Sequence, residues 1–143
     1  MTRINLVHPS ELTDQHLMAE WREIKMVPAA LRRSLRTQSI QTVVKKIPKD
    51  FTLNKGHVTF FYNKIDYLKE RYKALTKELF VRKFNIADRD IEEIFDDNIP
   101  LVFKGNWAPT EKDLVIIRQR IEEKIAMKRH WYKYCRKPLH TEE

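Results

Sequence analysis

An all-α, compact single domain is the fold this sequence predicts, on three observations. Apolar residues recur at helical spacing in three long stretches. Strand-like runs are few, and the one short candidate has no partner strand. The chain of 143 residues has room for one core.

The first helix is expected over about 10–36. Leu17, Trp21, Ile24, Leu31 and Leu35 follow one another at spacings of four and three, with Pro28 in the one gap, and form one apolar stripe. Ser10 and Thr13 both suit its N-cap. Pro28 should kink it, because proline removes a backbone donor and crowds the preceding turn. A second helix over about 63–83 buries Ile65, Leu68, Tyr72, Leu75 and Leu79. A third over about 109–128 starts at Pro109-Thr110, where Thr110 and Asp113 have capping-box spacing although Asp is not the preferred partner. Its stripe is Leu114, Ile117, Ile121 and Ile125.

Two connectors join these helices. Residues 45–62 include the β-prone run His57-Val58-Thr59-Phe60-Phe61-Tyr62, expected as an extended or short helical piece packed into the core. Residues 87–107 are locally acidic and expected to face away from any polyanion.

Composition narrows the function. Lys and Arg number 28 against 20 Asp and Glu, a formal net charge of +8, which points to a polyanion partner, nucleic acid ahead of anionic lipid. The single cysteine, Cys135, precludes an intrachain disulfide and fits a reducing cytoplasm. No apolar run approaches the ~20 residues of a membrane span. Gly56 and Gly105 are the only glycines, so neither a phosphate loop nor a dinucleotide fingerprint can be built. The five histidines lack partners at ligand spacing, so no metal and no other cofactor is expected.

The third helix carries Arg120, Lys124 and Lys128 at i, i+4 and i+8, a basic ridge with Arg118 and Arg129 nearby. It leads into an aromatic-basic tail over 130–137 that contains Trp131, Tyr132 and Lys133. Cations meet phosphates and flat rings stack on bases or sugars, so this alternation suits nucleic acid. Four to six phosphate contacts would give log K against log salt a slope of roughly −4 to −5. On the first helix His16, Glu20 and Glu23 stack along one face, beside a stripe of Gln15, Ala19, Arg22 and Met26. Read alone, that face is solvated and its charges pair weakly. The chain opens Met1-Thr2. Removal of Met1 would leave an α-amine titrating near ~7.7–8.0, partly neutral at physiological pH and able to form a Schiff base with an aldehyde carbon.

Five blocks, in order, then carry a resemblance. They are Met1-Thr2-Arg3-Ile4-Asn5-Leu6, Asp14-Gln15-His16-Leu17-Met18-Ala19-Glu20-Trp21-Arg22-Glu23, Gly56-His57-Val58-Thr59-Phe60-Phe61-Tyr62, Glu123-Lys124-Ile125-Ala126 and Trp131-Tyr132-Lys133-Tyr134. Together they resemble the bacteriophage endonuclease V family of pyrimidine-dimer DNA glycosylases with abasic-site lyase activity. The resemblance implies one glycosylase and lyase domain over 1–143, with the N-terminal segment threaded between the first two helices. It implies that the α-amine of Thr2 attacks the sugar C1′, that the base is expelled, and that β-elimination through the imine breaks the strand. Glu23 matches the family's essential carboxylate. Arg3, Gln15, His16 and Arg22 match lesion-site positions, Arg120 and Lys124 match DNA-holding positions, and Trp131, Tyr132 and Lys133 match the tail. The implied partner is damaged double-stranded DNA, met by a monomer without metal or membrane in the cytoplasm of a bacterial or phage-infected cell.

One departure bears on lesion choice. Phage members carry Leu-Pro-Arg after the glutamate, whereas Ile24-Lys25-Met26 stand here. Competing expectations are the same imine chemistry on another base lesion or on abasic sites alone, and a DNA-binding protein without catalysis.

Overall fold

The computed structural model describes residues 3–87 and 89–139. It is mostly helical: α1 Asp14–Glu23, α2 Met26–Thr37, α3 Ile40–Lys45, α4 His57–Phe60, α5 Ile65–Val81, α6 Ile91–Phe95 and α7 Glu111–Met127. Single 3-10 turns occupy Pro9–Glu11, Phe61–Asn63 and Leu101–Phe103. Near the C-terminus β1 Lys133–Tyr134 pairs antiparallel with β2 Lys137–Pro138.

The expected first helix is two helices, α1 and α2. Pro28 is the physical cause, acting one turn earlier than the kink anticipated. It has no N–H to offer the Ile24 carbonyl, which instead accepts from Val27 N at 3.2 Å. The chain therefore tightens at Ile24-Lys25 and restarts with Pro28 in the first turn of α2, where a backbone donor is not needed. Of the two candidate caps, Thr13 does the work: its Oγ1 accepts the His16 N–H at 3.1 Å, while Ser10 lies in the preceding 3-10 turn. The capping box at α7 forms with aspartate after all. Thr110 Oγ1 accepts from Asp113 N at 3.2 Å and Asp113 Oδ2 accepts from Thr110 N at 3.0 Å.

The apolar stripes bury as their spacing requires. Leu17, Trp21, Ile24 and Leu31 meet the α5 face of Ile65, Leu68, Tyr72, Leu75 and Leu79, and Ile117 and Ile121 of α7 join them. The β-prone run 57–62 forms α4 and a 3-10 turn rather than a strand; among the described residues no strand stands beside it to pair with. Its Phe60 and Phe61 pack edge-on to Phe51 and Trp107. Gly105 permits this corner to close: a Cβ there would lie 2.4 Å from the Asn63 carbonyl oxygen, while its own carbonyl accepts the Tyr67 N–H.

Two polar assemblies hold the chain ends against this core. At the N-terminal side Ile4, Asn5, Leu6 and Val7 are buried. Asn5 N donates to Glu20 Oε1 at 3.1 Å, and Arg71 binds both carboxylate oxygens of Glu20, at 2.6 and 3.0 Å, and the Val7 carbonyl at 2.5 Å. Leu6 adopts φ 60°, in a tight turn closed by Val7 N donating to Asn5 O. At the C-terminal side the hairpin turn places Cys135 and Arg136 at φ 49° and 66°. Both of their amides donate to the Asp14 carboxylate, at 2.9 and 2.6 Å.

Candidate catalytic site and nucleic-acid interface

Thr2 lies outside the described residues. Arg3, the residue after it, opens the site, and its surroundings are set by charge and burial. Burial lowers the Arg3 guanidinium below the usual arginine range, and the Glu23 carboxylate works against that shift. Burial also lowers Arg120, reinforced by the like charge of Arg3 and opposed by Tyr132 and Glu23. One carboxylate therefore sits in the field of two partly buried guanidiniums, each contributed by a different part of the chain: the N-terminal segment, the last turn of α1 and α7.

His16 and Tyr132 complete this group. Their rings stack at 4.8 Å with 5° between planes. Burial, helped by the Arg120 charge, pulls the His16 pKa down to about 4, so the imidazole is neutral at physiological pH. Thr13 Oγ1 lies 2.7 Å from His16 Nδ1 and orients the ring. Tyr132 is thus both a core-capping ring and a site neighbour, whereas Trp131 beside it is 55% exposed and free to meet a base or sugar.

Gln15 and Arg22 lie on the adjacent face of α1. Gln15 is committed to the tail: its Nε2 donates to the Trp131 carbonyl at 2.5 Å and its Oε1 accepts the Lys133 N–H at 2.9 Å. Asp14, Gln15, Met18, Arg22, Phe84, Trp131 and Arg136 are among the residues that line a surface pocket of about 580 Å³. Lys133 also reaches this pocket. Met26 does not: the break before α2 turns it into a separate groove shared with Lys25, Ala29 and Arg32. The stripe expected to run through Gln15, Ala19, Arg22 and Met26 therefore stops at Arg22.

On α7, Arg120 is half-buried in the site and Lys124 stands exposed one turn further on. Lys128 follows, its Nζ 5.6 Å from the centre of the Trp131 ring. Arg118, counted from sequence among the nearby cations, is instead paired with Glu11 at 3.0 Å. The structure thus gathers Arg3, His16, Glu23, Arg120 and Tyr132 into one cluster. Gln15, Arg22, Trp131 and Lys133 gather in the neighbouring pocket, and Lys124 remains on the outer ridge.

Residues that position these groups escaped the sequence reading. Glu20, placed on a solvated face from its spacing, is 1% exposed and paired with Arg71. Asp14, Arg82 and Arg136 dock the tail. Arg82 binds Asp14 and Glu78 and lies 4.0 Å from the centre of the Tyr134 ring. The Arg136 guanidinium donates to the carbonyls of Arg82 and Lys83. The available signal was a charge inside an apolar stripe: Arg71 stands between Leu68 and Leu75 on the buried face of α5. Among the described residues no cluster of His, Cys, Asp and Glu is arranged to hold a metal ion, and no helix is long and apolar enough to cross a membrane.

The described residues form a basic, mostly helical protein in which one carboxylate, Glu23, lies in the field of Arg3 and Arg120 near a docked aromatic-basic tail. The family model for pyrimidine dimer DNA glycosylase matches residues 1–92, and the chain belongs to that family. The match spans Thr2, Arg3, Gln15, His16, Arg22 and Glu23. It ends before α7 and the tail, so the assignments of Arg120, Lys124, Trp131, Tyr132 and Lys133 rest on the arrangement above.

Proposed function

We propose that this chain excises ultraviolet-type pyrimidine dimers from duplex DNA and then cleaves the abasic strand, with the α-amine of Thr2 as nucleophile after Met1 is removed. The observation that carries the reading is the shared electrostatic environment of Glu23, Arg3 and Arg120. The Glu23 carboxylate interacts with Arg3, the residue that follows Thr2 in the chain, which supports a role for it beside the amine. The N-terminal segment is threaded between α1 and α5, supported by its hydrogen bonds with Glu20 of the one and Arg71 of the other.

The chemistry balances without an external reductant or oxidant. The amine nitrogen bonds to C1′ as the C1′–N glycosidic bond breaks, and the departing base takes that electron pair and a proton. Cleavage of C1′–O4′ opens the sugar, O4′ is protonated, and the nitrogen becomes an iminium. Loss of a C2′ proton sends electrons toward the iminium, and the C3′–O bond breaks with the phosphate as leaving group. Glu23 stabilises the cationic sugar and accepts and returns the proton. The neutral His16, with Arg3 and Arg22, borders the lesion. Arg120 and Lys124 bind phosphates, and Trp131, Tyr132 and Lys133 support a kinked duplex from which a nucleotide is extracted. The protein acts as a monomeric single domain on DNA in the cytoplasm.

Borohydride trapping tests the proposal on protein shown by mass to begin at Thr2. Trapping on both irradiated and abasic duplexes is expected. Trapping on abasic duplex alone keeps the imine chemistry and removes the dimer assignment, an outcome toward which the displaced Met26 would point. No trapping on either overturns the amine. Glu23→Gln should slow base release by about 100-fold or more; unchanged release removes the carboxylate from the mechanism.

A further inference from the structure

Two residues after the proposed nucleophile, the backbone N–H of Ile4 donates to Nε2 of His57 at 2.9 Å. A backbone amide can only donate, so Nε2 carries no proton. The other ring nitrogen, Nδ1, lies 2.8 Å from the Thr52 carbonyl oxygen, which can only accept, so Nδ1 carries the proton. The two partners together define one neutral tautomer. The ring is 1% exposed and lies edge-on to Phe51 and Phe61, each at 5.4 Å, so neither rotation nor solvent loosens it.

The next residues are held from the other side. Asn5 is bonded to Glu20, Val7 to Arg71, and those two side chains to each other. Between them Leu6 keeps a left-handed backbone that a leucine leaves unless its neighbours are pinned. The segment 4–7 is therefore held in one register by a histidine acceptor in front of a strained turn and an ion pair around it. Nothing in the chemistry of base excision requires His57 itself; what requires it is the placement of the chain end. A misplacement of about 1 Å between reacting groups can cost about 100-fold in rate.

We propose that His57 is a positioning residue, whose Nε2 sets the register of the segment that carries the amine and so its approach to the sugar beside Glu23. This rests on the amine reading above.

The test compares His57→Leu, His57→Asn and His57→Gln with the wild type, all beginning at Thr2. A glutamine Oε1 reaches the Nε2 position and accepts the Ile4 N–H; an asparagine amide stops at the Nδ1 position. Single-turnover imine formation on saturating abasic duplex should fall at least 10-fold in the leucine and asparagine variants, with Kd for the same duplex within 2-fold. The glutamine variant should recover most of the rate. A merely structural histidine would give losses that follow thermal stability and no difference between glutamine and asparagine at equal stability. Wild-type rates in a folded leucine or asparagine variant overturn the proposal. Should the leucine variant not fold, the glutamine and asparagine pair decides by the same criterion. If the wild type itself traps on neither substrate, the amine reading fails. The latch is then read by hydrogen exchange at the Ile4 amide: protection kept in the glutamine variant and lost in the asparagine variant supports it, and equal protection in both overturns it.

Discussion

Glu20 and Glu23 stand three residues apart on α1 and do opposite jobs. Glu20 points into the core, where Arg71 grips both of its oxygens and the Asn5 amide takes a share of one. Burial alone would lower Arg71, but the two contacts with Glu20 outweigh it and raise the guanidinium above its usual range. Breaking such a pair strands a buried charge, at a cost of about 3–5 kcal/mol. Glu20→Ala should therefore lower the unfolding free energy by that amount, measured by urea titration. A loss below about 1 kcal/mol would mean that water replaces the carboxylate. Glu23, by contrast, is only half-buried, and the proposed mechanism needs that access. Spacing put both on one helical face, but it could not distinguish them, because that face is covered at Glu20 by α5 and opens toward Arg3 and Arg120 at Glu23.

At the scale of elements, the tail shows how a short hairpin is held. Two residues of left-handed backbone at its turn are the geometry favoured for two-residue hairpin loops, usually supplied by asparagine and glycine. Here cysteine and arginine bear it, and Asp14 collects both exposed amides. Cys135 is exposed. Cys135→Gly should then relieve strain and stabilise the protein by about 1 kcal/mol, seen as a higher urea midpoint and slower exchange at the Lys133 amide; destabilisation would show that the thiol packs usefully. The basic ridge belongs to the same scale. Lys124 is exposed and in line with Arg120 and Lys128, so Lys124→Ala should weaken binding to all duplexes alike and reduce the salt slope by about 1.

For the whole molecule, two neutral histidines link stability to pH. Burial pulls His16 and His57 from the usual 6.5 down to about 4, with Arg120 adding to both and Arg3 to His57; the Thr52 carbonyl opposes the shift at His57. The unfolded chain takes up protons at these residues near pH 6.5, while the folded chain resists until about pH 4. Their stabilising contribution is therefore complete above about pH 6.5 and is lost as pH falls through that window. Urea midpoints should drop between pH 7 and pH 5, and less so in His16→Gln; a flat profile would place both rings in solvent. If four to six of the cations on α7 and the tail meet phosphates, as proposed, DNA binding should show a salt slope of roughly −4 to −5.

Much of this was legible in the chain itself. Residue periodicity determined the helical class and the buried faces of α1, α2, α5 and α7, since 3.6-residue spacing dictates which side chains share a face. The ordered motifs determined the family and named Thr2, Glu23 and their neighbours. Three things were decided only by the tertiary structure. Pro28 divides a helix in two rather than bending it, because the outcome depends on where the lost donor falls within the turn. The pairs Glu20–Arg71 and Asp14–Arg82 join residues 51 and 68 positions apart, too distant for any local pattern. And His57 accepts from Ile4 across 53 residues. A side chain's spacing says which way it points along its own helix; whether it meets water, an arginine or the chain's own amino end depends on what the rest of the fold brings to that face.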